Sequence, residues 1–350
     1  MGNASKQDVT RRRTLGLLAG GAGTVLAPWS APALAQDTTF FRIGTGSTGG
    51  TYYPVGSVVA NVISKPPGSR ECGKGGSCGV PGLVAVAQAT DGSIANVEAI
   101  NAGTLESGFS QSDILFWAYN GNGIFADQEP LGNLRLIANL YPEVVQIVVR
   151  KGAGITSVEE LAGKRVSLDA PGSGTLADAR IILGAYGLTE NDFDAIYLQS
   201  PQAMSLMRDG ELDAFFIVAG APTVSVSRLI ADDVATLLPI IDQRAIEIVI
   251  VYPFFSLSAV AYPETDIVPT LSVGAQWAVS ATIDDELVYG ITSALWNEHS
   301  REILDAGHPV ASEISLRNAL KGAGIPLHSG ARRYYEEIGL DVSQVPLVGA

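Results

Sequence analysis

Short β-prone apolar runs alternate along this chain with segments whose apolar positions recur every three or four residues. The short runs predict strands at 39–45, 83–89, 106–110, 134–139, 144–150, 164–168, 195–198, 213–218, 234–239 and 270–280. Helical spacing predicts helices at 51–64, 92–102, 112–120, 157–162, 174–186, 201–209, 221–230, 283–298, 312–320 and 330–338. Alternation of this length predicts α/β architecture with mainly parallel sheets. The most apolar stretch, Ile246 to Tyr262, reads as buried core elements, and the Pro/Gly/Cys-rich segment 65–82 as a loop.

The pattern breaks at two places. Lys151-Gly152-Ala153-Gly154 follows a strong strand and precedes a new βα series, with Thr156 and Glu159 as a capping box. Pro253, Pro263 and Pro269 interrupt apolar runs near 250–270. Two lobes are therefore expected: residues 36–150 together with about 264–350, and residues 151–263.

The first 35 residues read as an export signal. A basic start with Arg11, Arg12 and Arg13 leads into an apolar run from Thr14 to Ala27. Ala33-Leu34-Ala35 offers cleavage after Ala35. TRRRTL is similar to a twin-arginine signal; a general secretory signal is the alternative. The apolar run is shorter than the ~20 residues a membrane span needs. A periplasmic destination is expected.

Composition changes this picture little. The 350 residues are 47% hydrophobic and 17% charged, enough apolar material for two cores. A net charge of −14 argues against nucleic acid or an anionic membrane as partner. Cys72 and Cys78 are the two cysteines; in an exported chain the default is a disulfide.

Candidate chemistry lies in two loops. Gly44-Thr45-Gly46-Ser47-Thr48-Gly49-Gly50-Thr51 links a strand to a helix, and so does Asp169-Ala170-Pro171-Gly172-Ser173-Gly174-Thr175. Glycines let a backbone approach a ligand, first-turn N–H groups lack helical partners, and the helix dipole favours an anion. Plain βα turns without a ligand are the alternative.

Gly44, Gly46 and Gly49 also spell GxGxxG, but the acidic residue at dinucleotide spacing, Glu71, sits in the Cys-rich loop. An exported nicotinamide oxidoreductase is the enzymatic alternative. GSRECGKG lacks the Ser/Thr of a phosphate loop, and GGSCG lacks the strand–turn–helix setting of a serine nucleophile. His299, His308 and His328 make no metal motif and read as surface or capping residues. No cofactor, metal or catalytic residue is assigned.

With these residues in view, the chain resembles the TAXI family of solute receptors for TRAP transporters. The resemblance rests on IGTGSTGGTYYPVG (43–56), SGFSQSD (107–113), IANLYPEVVQIVVR (137–150), LAGKRVSLDAPGSGT (161–175), GELDAFFIVAGAPT (210–223) and ALKGAGIPLHSGARRYYEEIGL (319–340). Ser47 departs from the family's usual glycine. The resemblance implies a two-lobed periplasmic binding protein of type II, joined by hinge strands. It implies a monomeric receptor that performs no chemistry and delivers a small organic anion to a TRAP membrane permease. Glutamate, glutamine, a 2-oxoacid or a dicarboxylate are the expected solutes. A component feeding a sensor kinase is a further alternative.

Carried onto this sequence, the resemblance implies a cleft site. Gly46, Ser47, Thr48, Gly49, Gly50, Thr51 and Tyr52, with Gln111, Ser112 and Asp113, would come from lobe one. Tyr141 and Glu143 would sit near the hinge. Gly172, Ser173, Gly174, Thr175, Gly220, Ala221 and Pro222 would come from lobe two. The hydroxyls of Ser47, Thr48, Ser173 and Thr175, with adjacent amides, would grip carboxylate oxygens. Gln111 would fix a polar group, and Tyr52 and Tyr141 would wall the solute.

Overall fold

The computed structural model describes residues 38–252, 254–263 and 265–349. The export signal, Pro253 and Glu264 lie outside the described residues. In chain order, the first series is β1 (Thr39–Gly44), α1 (Tyr52–Ile63), β2 (Ser64–Lys65), β3 (Val80–Pro81), β4 (Leu83–Gln88), α2 (Ser93–Asn101), β5 (Ser107–Gln111) and α3 (Ser112–Asn120). Strand β1 shows the alternation that made it predictable: Phe41 and Ile43 point into the core while Phe40 stays exposed. Helix α1 buries Val55, Val59, Val62 and Ile63 at helical spacing, with Pro54 harmless in its first turn. Strands β4, β1 and β5 pair in parallel.

Strand β6 (Leu134–Arg150) then runs seventeen residues without a break. Two strands were expected there, at 134–139 and 144–150. Pro142 lies between them, but its side chain is exposed and the ladder continues past it. The second series is β7 (Arg165–Ser167), α4 (Gly174–Ala185), β8 (Asp194–Ile196), α5 (Ser200–Arg208), β9 (Ala214–Ala219), α6 (Val224–Ala231), β10 (Ala235–Leu238), α7 (Gln243–Val251) and β11 (Ser256–Val260). Strand β12 (Val268–Ser280) returns antiparallel to β6, followed by α8 (Asp285–Leu295), α9 (Glu298–Gly307) and α10 (Ser329–Glu337). The sheet order is β4-β1-β5-β12-β6-β9-β7-β8, with β10 beside β6 and β11 beside β12. Strands β9, β7 and β8 are parallel, and the long crossing strands run antiparallel to their neighbours.

The fold is thus two-lobed α/β, and the apolar cores locate the division. One core joins residues from Phe41 to Tyr141 with residues from Ala275 to Val345. Two others, on opposite faces of the second lobe's sheet, gather residues from Val144 to Val273. The cores therefore part inside β6, between Tyr141 and Val144, and inside β12, between Val273 and Ala275. The divisions expected at 150/151 and near 264 fall elsewhere, because a strand that stays hydrogen-bonded can change cores without a loop to mark the place.

Four local expectations are corrected. Thr156 donates from both its amide and its hydroxyl to Glu160, and Glu159 pairs with Arg244. The segment 157–162 is a single 3-10 turn, Val158–Leu161. Residues 312–320 hold short 3-10 turns and no α-helix. Ile246 to Tyr262 is only half core: α7 buries Ala245 and Ile248 but exposes Ile250 and Val251, and β11 exposes Leu257.

Candidate functional site

The two glycine loops meet across the crease between the lobes. A cavity of about 50 Å³ lies there, room for roughly three to five waters. From the first lobe it is lined by Gly46, Ser47, Gly50, Thr51, Tyr52, Asp91, Gly92, Ser93 and Gln111. Glu143 stands between the lobes, and Ser173, Gly174, Thr175, Ser200 and the stretch Ile217–Ala219 come from the second. The N-termini of α1, α2, α4 and α5 all begin at lining residues or their neighbours. Their unpaired amides give the cavity a partial positive charge without any Lys or Arg in its wall.

The hydroxyls expected to grip a ligand have other partners too. Ser173 caps α4, accepting from the Leu176 amide at 3.2 Å. Thr175 accepts from the Val218 amide at 3.0 Å. Thr51 leaves its own helix uncapped and accepts from the Gly220 amide in the other lobe, at 3.0 Å. Ser47 and Ser200 face each other across the crease, their oxygens 3.4 Å apart.

Several glycines serve lobe-to-lobe contact. A Cβ on Gly49 would stand 2.5 Å from Ser225 Oγ, one on Gly172 2.9 Å from Asp91 Cβ, and one on Gly220 2.8 Å from Val310. A Cβ on Gly174 would fall 1.4 Å from Gln111 Oε1. Of these four, only Gly174 also lines the cavity. Thr48 is exposed, Ser112 Oγ accepts from the Gly274 amide at 3.0 Å, and Tyr141 is buried with its ring against Gly220. Asp113 is fully buried, and Ala221 and Pro222, joined by a cis peptide bond, stand outside the lining. Gly49 of the GxGxxG loop packs beneath Ser200 and Ser225 of the opposite lobe.

The ionisable groups of the crease are acidic. Tyr52 donates to Glu143 at 2.6 Å, and burial pushes the Glu143 carboxyl up to about 8. At neutral pH it is mostly protonated, able to donate a hydrogen bond. Gln111 donates to Asp178 at 3.0 Å. Asp178, on α4, is fully buried, and burial with Asp113 close by drives it well above the usual carboxylate range. Burial, with Asp91 adding repulsion, pushes Asp169 up to about 7.

Asp91, Gly92, Ser93, Asp178, Ser200 and the Ile217–Ala219 edge were not foreseen. Asp178 carried a signal: it lies four residues before Ile182 on the apolar face of ADARIILGA, where a carboxylate has no reason to be unless it has a task. Ser200-Pro201 and Gly92-Ser93 read as ordinary helix starts. The described side chains whose metal-ligand atoms cluster within 4.8 Å are Cys72, Cys78 and His299, away from the cavity. The two sulfurs there are bonded to each other.

The family model for NMT1-like proteins matches residues 43–339. The chain belongs to the NMT1-like family. Among solved structures, this NMT1-like chain is similar to a Bordetella bronchiseptica protein at 16% identity and TM-score 0.51, over 89% of this chain and 86% of that one. The alkanesulfonate-binding protein SsuA from Xanthomonas axonopodis, bound to MOPS, aligns at 17% identity and TM-score 0.45, over 86% and 85%. PhnD1 from Prochlorococcus marinus, in complex with methylphosphonate, aligns at 14% identity and TM-score 0.47, over 86% and 97%. At these identities the likeness concerns the fold alone. Among the described residues no helix is long and apolar enough to cross a membrane.

Proposed function

We propose that this chain is an extracytoplasmic receptor that closes its two lobes on a small organic acid and hands it to a membrane permease. The supporting observation is the crease cavity: helix N-termini and hydroxyls surround it, and among the described residues no basic side chain lines it. Such a wall binds an anion through oriented N–H groups. A protonated Glu143 adds a donor that an ionised carboxylate would not. The solute class is a carboxylate: glutamate, glutamine, a 2-oxoacid or a dicarboxylate. The permease is of the TRAP type, on the strength of the TAXI-like motifs. Export with cleavage after Ala35 belongs to the same reading.

The test is thermal unfolding of residues 36–350 against small carboxylates, amino acids and NAD(P). A solute at 100 times its Kd should stabilise by about 2.7 kcal/mol. A shift with a carboxylate, lost in Gln111→Ala, supports the proposal. A shift with a nucleotide alone overturns it.

A further inference from the structure

Two carboxyl groups from opposite lobes meet behind the cavity. Asp113 lies in the first turn of α3, directly after β5; Asp178 lies in the second turn of α4. Both are completely buried, and Gln111, two residues before Asp113, bonds Asp178 across the crease. Asp178 accepts from Gln111 through one oxygen. Its other oxygen, and both of Asp113, lack a well-formed donor from any amide or hydroxyl. Two such acceptors can bond each other only through a proton.

We propose that Asp113 and Asp178 are a proton-binding site made by closure: the receptor takes up a proton as its lobes come together and releases it as they part. The proposal rests on the closing motion assumed above, not on the identity of the solute.

Among the described residues no ion pair reaches either carboxyl. Strand β6 presents Glu143 and Tyr141, β5 presents Gln111, and α1 presents Tyr52. The loop before α4 presents Asp169, which faces Asp91 of the loop before α2. None is cationic. The ion pairs of the described residues engage other carboxylates. Two carboxylates in a dry contact cannot both ionise, so one proton stays. Opening would place the groups on separate lobes, in water, where each ionises near pH 4.

The sign follows. The closed state binds more protons than the open one, so closure is favoured at low pH. It weakens as pH rises above the ordinary carboxylate range. Each linked proton changes the closed-to-open ratio up to tenfold per pH unit. Glu143, between the lobes, adds to the same trend up to about pH 8.

The experiment is small-angle scattering of residues 36–350, solute-free, from pH 5 to 9, for wild type, Asp178→Asn and Asp113→Asn, each checked for folding by circular dichroism. The wild type should expand as pH rises. Either variant should stay compact over a wider range, because its amide donates to the remaining carboxylate permanently. A radius independent of pH, or a variant that follows the wild type, overturns the proposal. Should one variant fail to fold, the other decides. In a second series with glutamate or 2-oxoglutarate added, compaction without pH dependence would remove the proton site and keep the receptor, and pH dependence without compaction would do the reverse.

Discussion

The glycine loops of the two lobes are alike in composition and differ in what their hydroxyls hold. In the second lobe, Ser173 turns back on its own helix and caps it. In the first, Thr51 leaves its helix uncapped and reaches across to Gly220. One loop completes its hydrogen bonding on its own helix; the other completes it across the crease. Glycines of both are needed where the opposite lobe presses on them. A Gly/Ser/Thr loop therefore records a close approach without saying whether a ligand or another part of the chain makes it.

The strongest way to break this comparison is a methyl group in the contact. Gly174→Ala must displace Gln111 from Asp178, and Gly49→Ala must displace Ser225 and Ser200. Overpacking of this kind costs about 1–3 kcal/mol, here against the closed state only. Solute affinity should fall roughly 5- to 150-fold, read by titration calorimetry, with melting of the solute-free protein changed far less. Equal losses in affinity and melting would mean that the lobes do not separate.

Capping comes next. Ser173→Ala should lower stability by about 1 kcal/mol, since it removes an N-cap acceptor. Thr51→Ala should change the unfolding of the solute-free protein little and weaken solute binding. Denaturant unfolding of both variants, with and without solute, separates these effects; a reversed pattern would invert the assignment of the loops.

A carboxylate far from the crease provides a control for pH. Asp213 is held by Arg165 and Arg150, whose guanidinium groups depress its ionisation below the usual range. A depressed carboxyl stabilises above its unfolded value near 4 and loses that contribution as pH falls. Asp213→Asn should therefore destabilise at pH 7 by about 1–2 kcal/mol, allowing for its partial exposure, and by much less near pH 2. The crease carboxyls act in the opposite direction, favouring closure as pH falls. Melting curves at both pH values check the sign.

The smallest effect on solute binding is expected at the Cys72–Cys78 staple. Its short loop allows about 2–3 kcal/mol by chain entropy at most. Backbone bonds from Lys74 and Gly76 to Glu71 and from Gly82 to Lys65 hold the loop as well. Replacing both cysteines by Ser should lower the melting temperature by only a few degrees, with solute affinity unchanged.

The strand and helix series was legible because each element buries one face at its own period. Phe41 and Ile43 on β1, and Val55, Val59 and Val62 on α1, state the core directly. The change of core within β6 was not legible, since strand residues on either side of Pro142 have the same character. The cavity was half legible: its glycine loops and Gln111 lie in the motifs, whereas Asp178 and Ser200 become neighbours of those loops only when the lobes meet. Periodicity reports what each element packs against, not what a distant one brings to the same point. Helix α7 escaped notice for a related reason, its apolar residues lying on an exposed face as well as a buried one.

Pro142 on β6 stands opposite Gly274 on β12, and the ladder between the strands shifts register one residue further on. Both crossings between lobes are thus main-chain ribbons within a single sheet, and they sit side by side. Such a joint resists stretching and sliding, because either would break the ladder, but it yields to torsion about the strands' common axis. Glu143, next to Pro142, lies where the cores part, so a charge appearing there would bear directly on any torsion between the lobes.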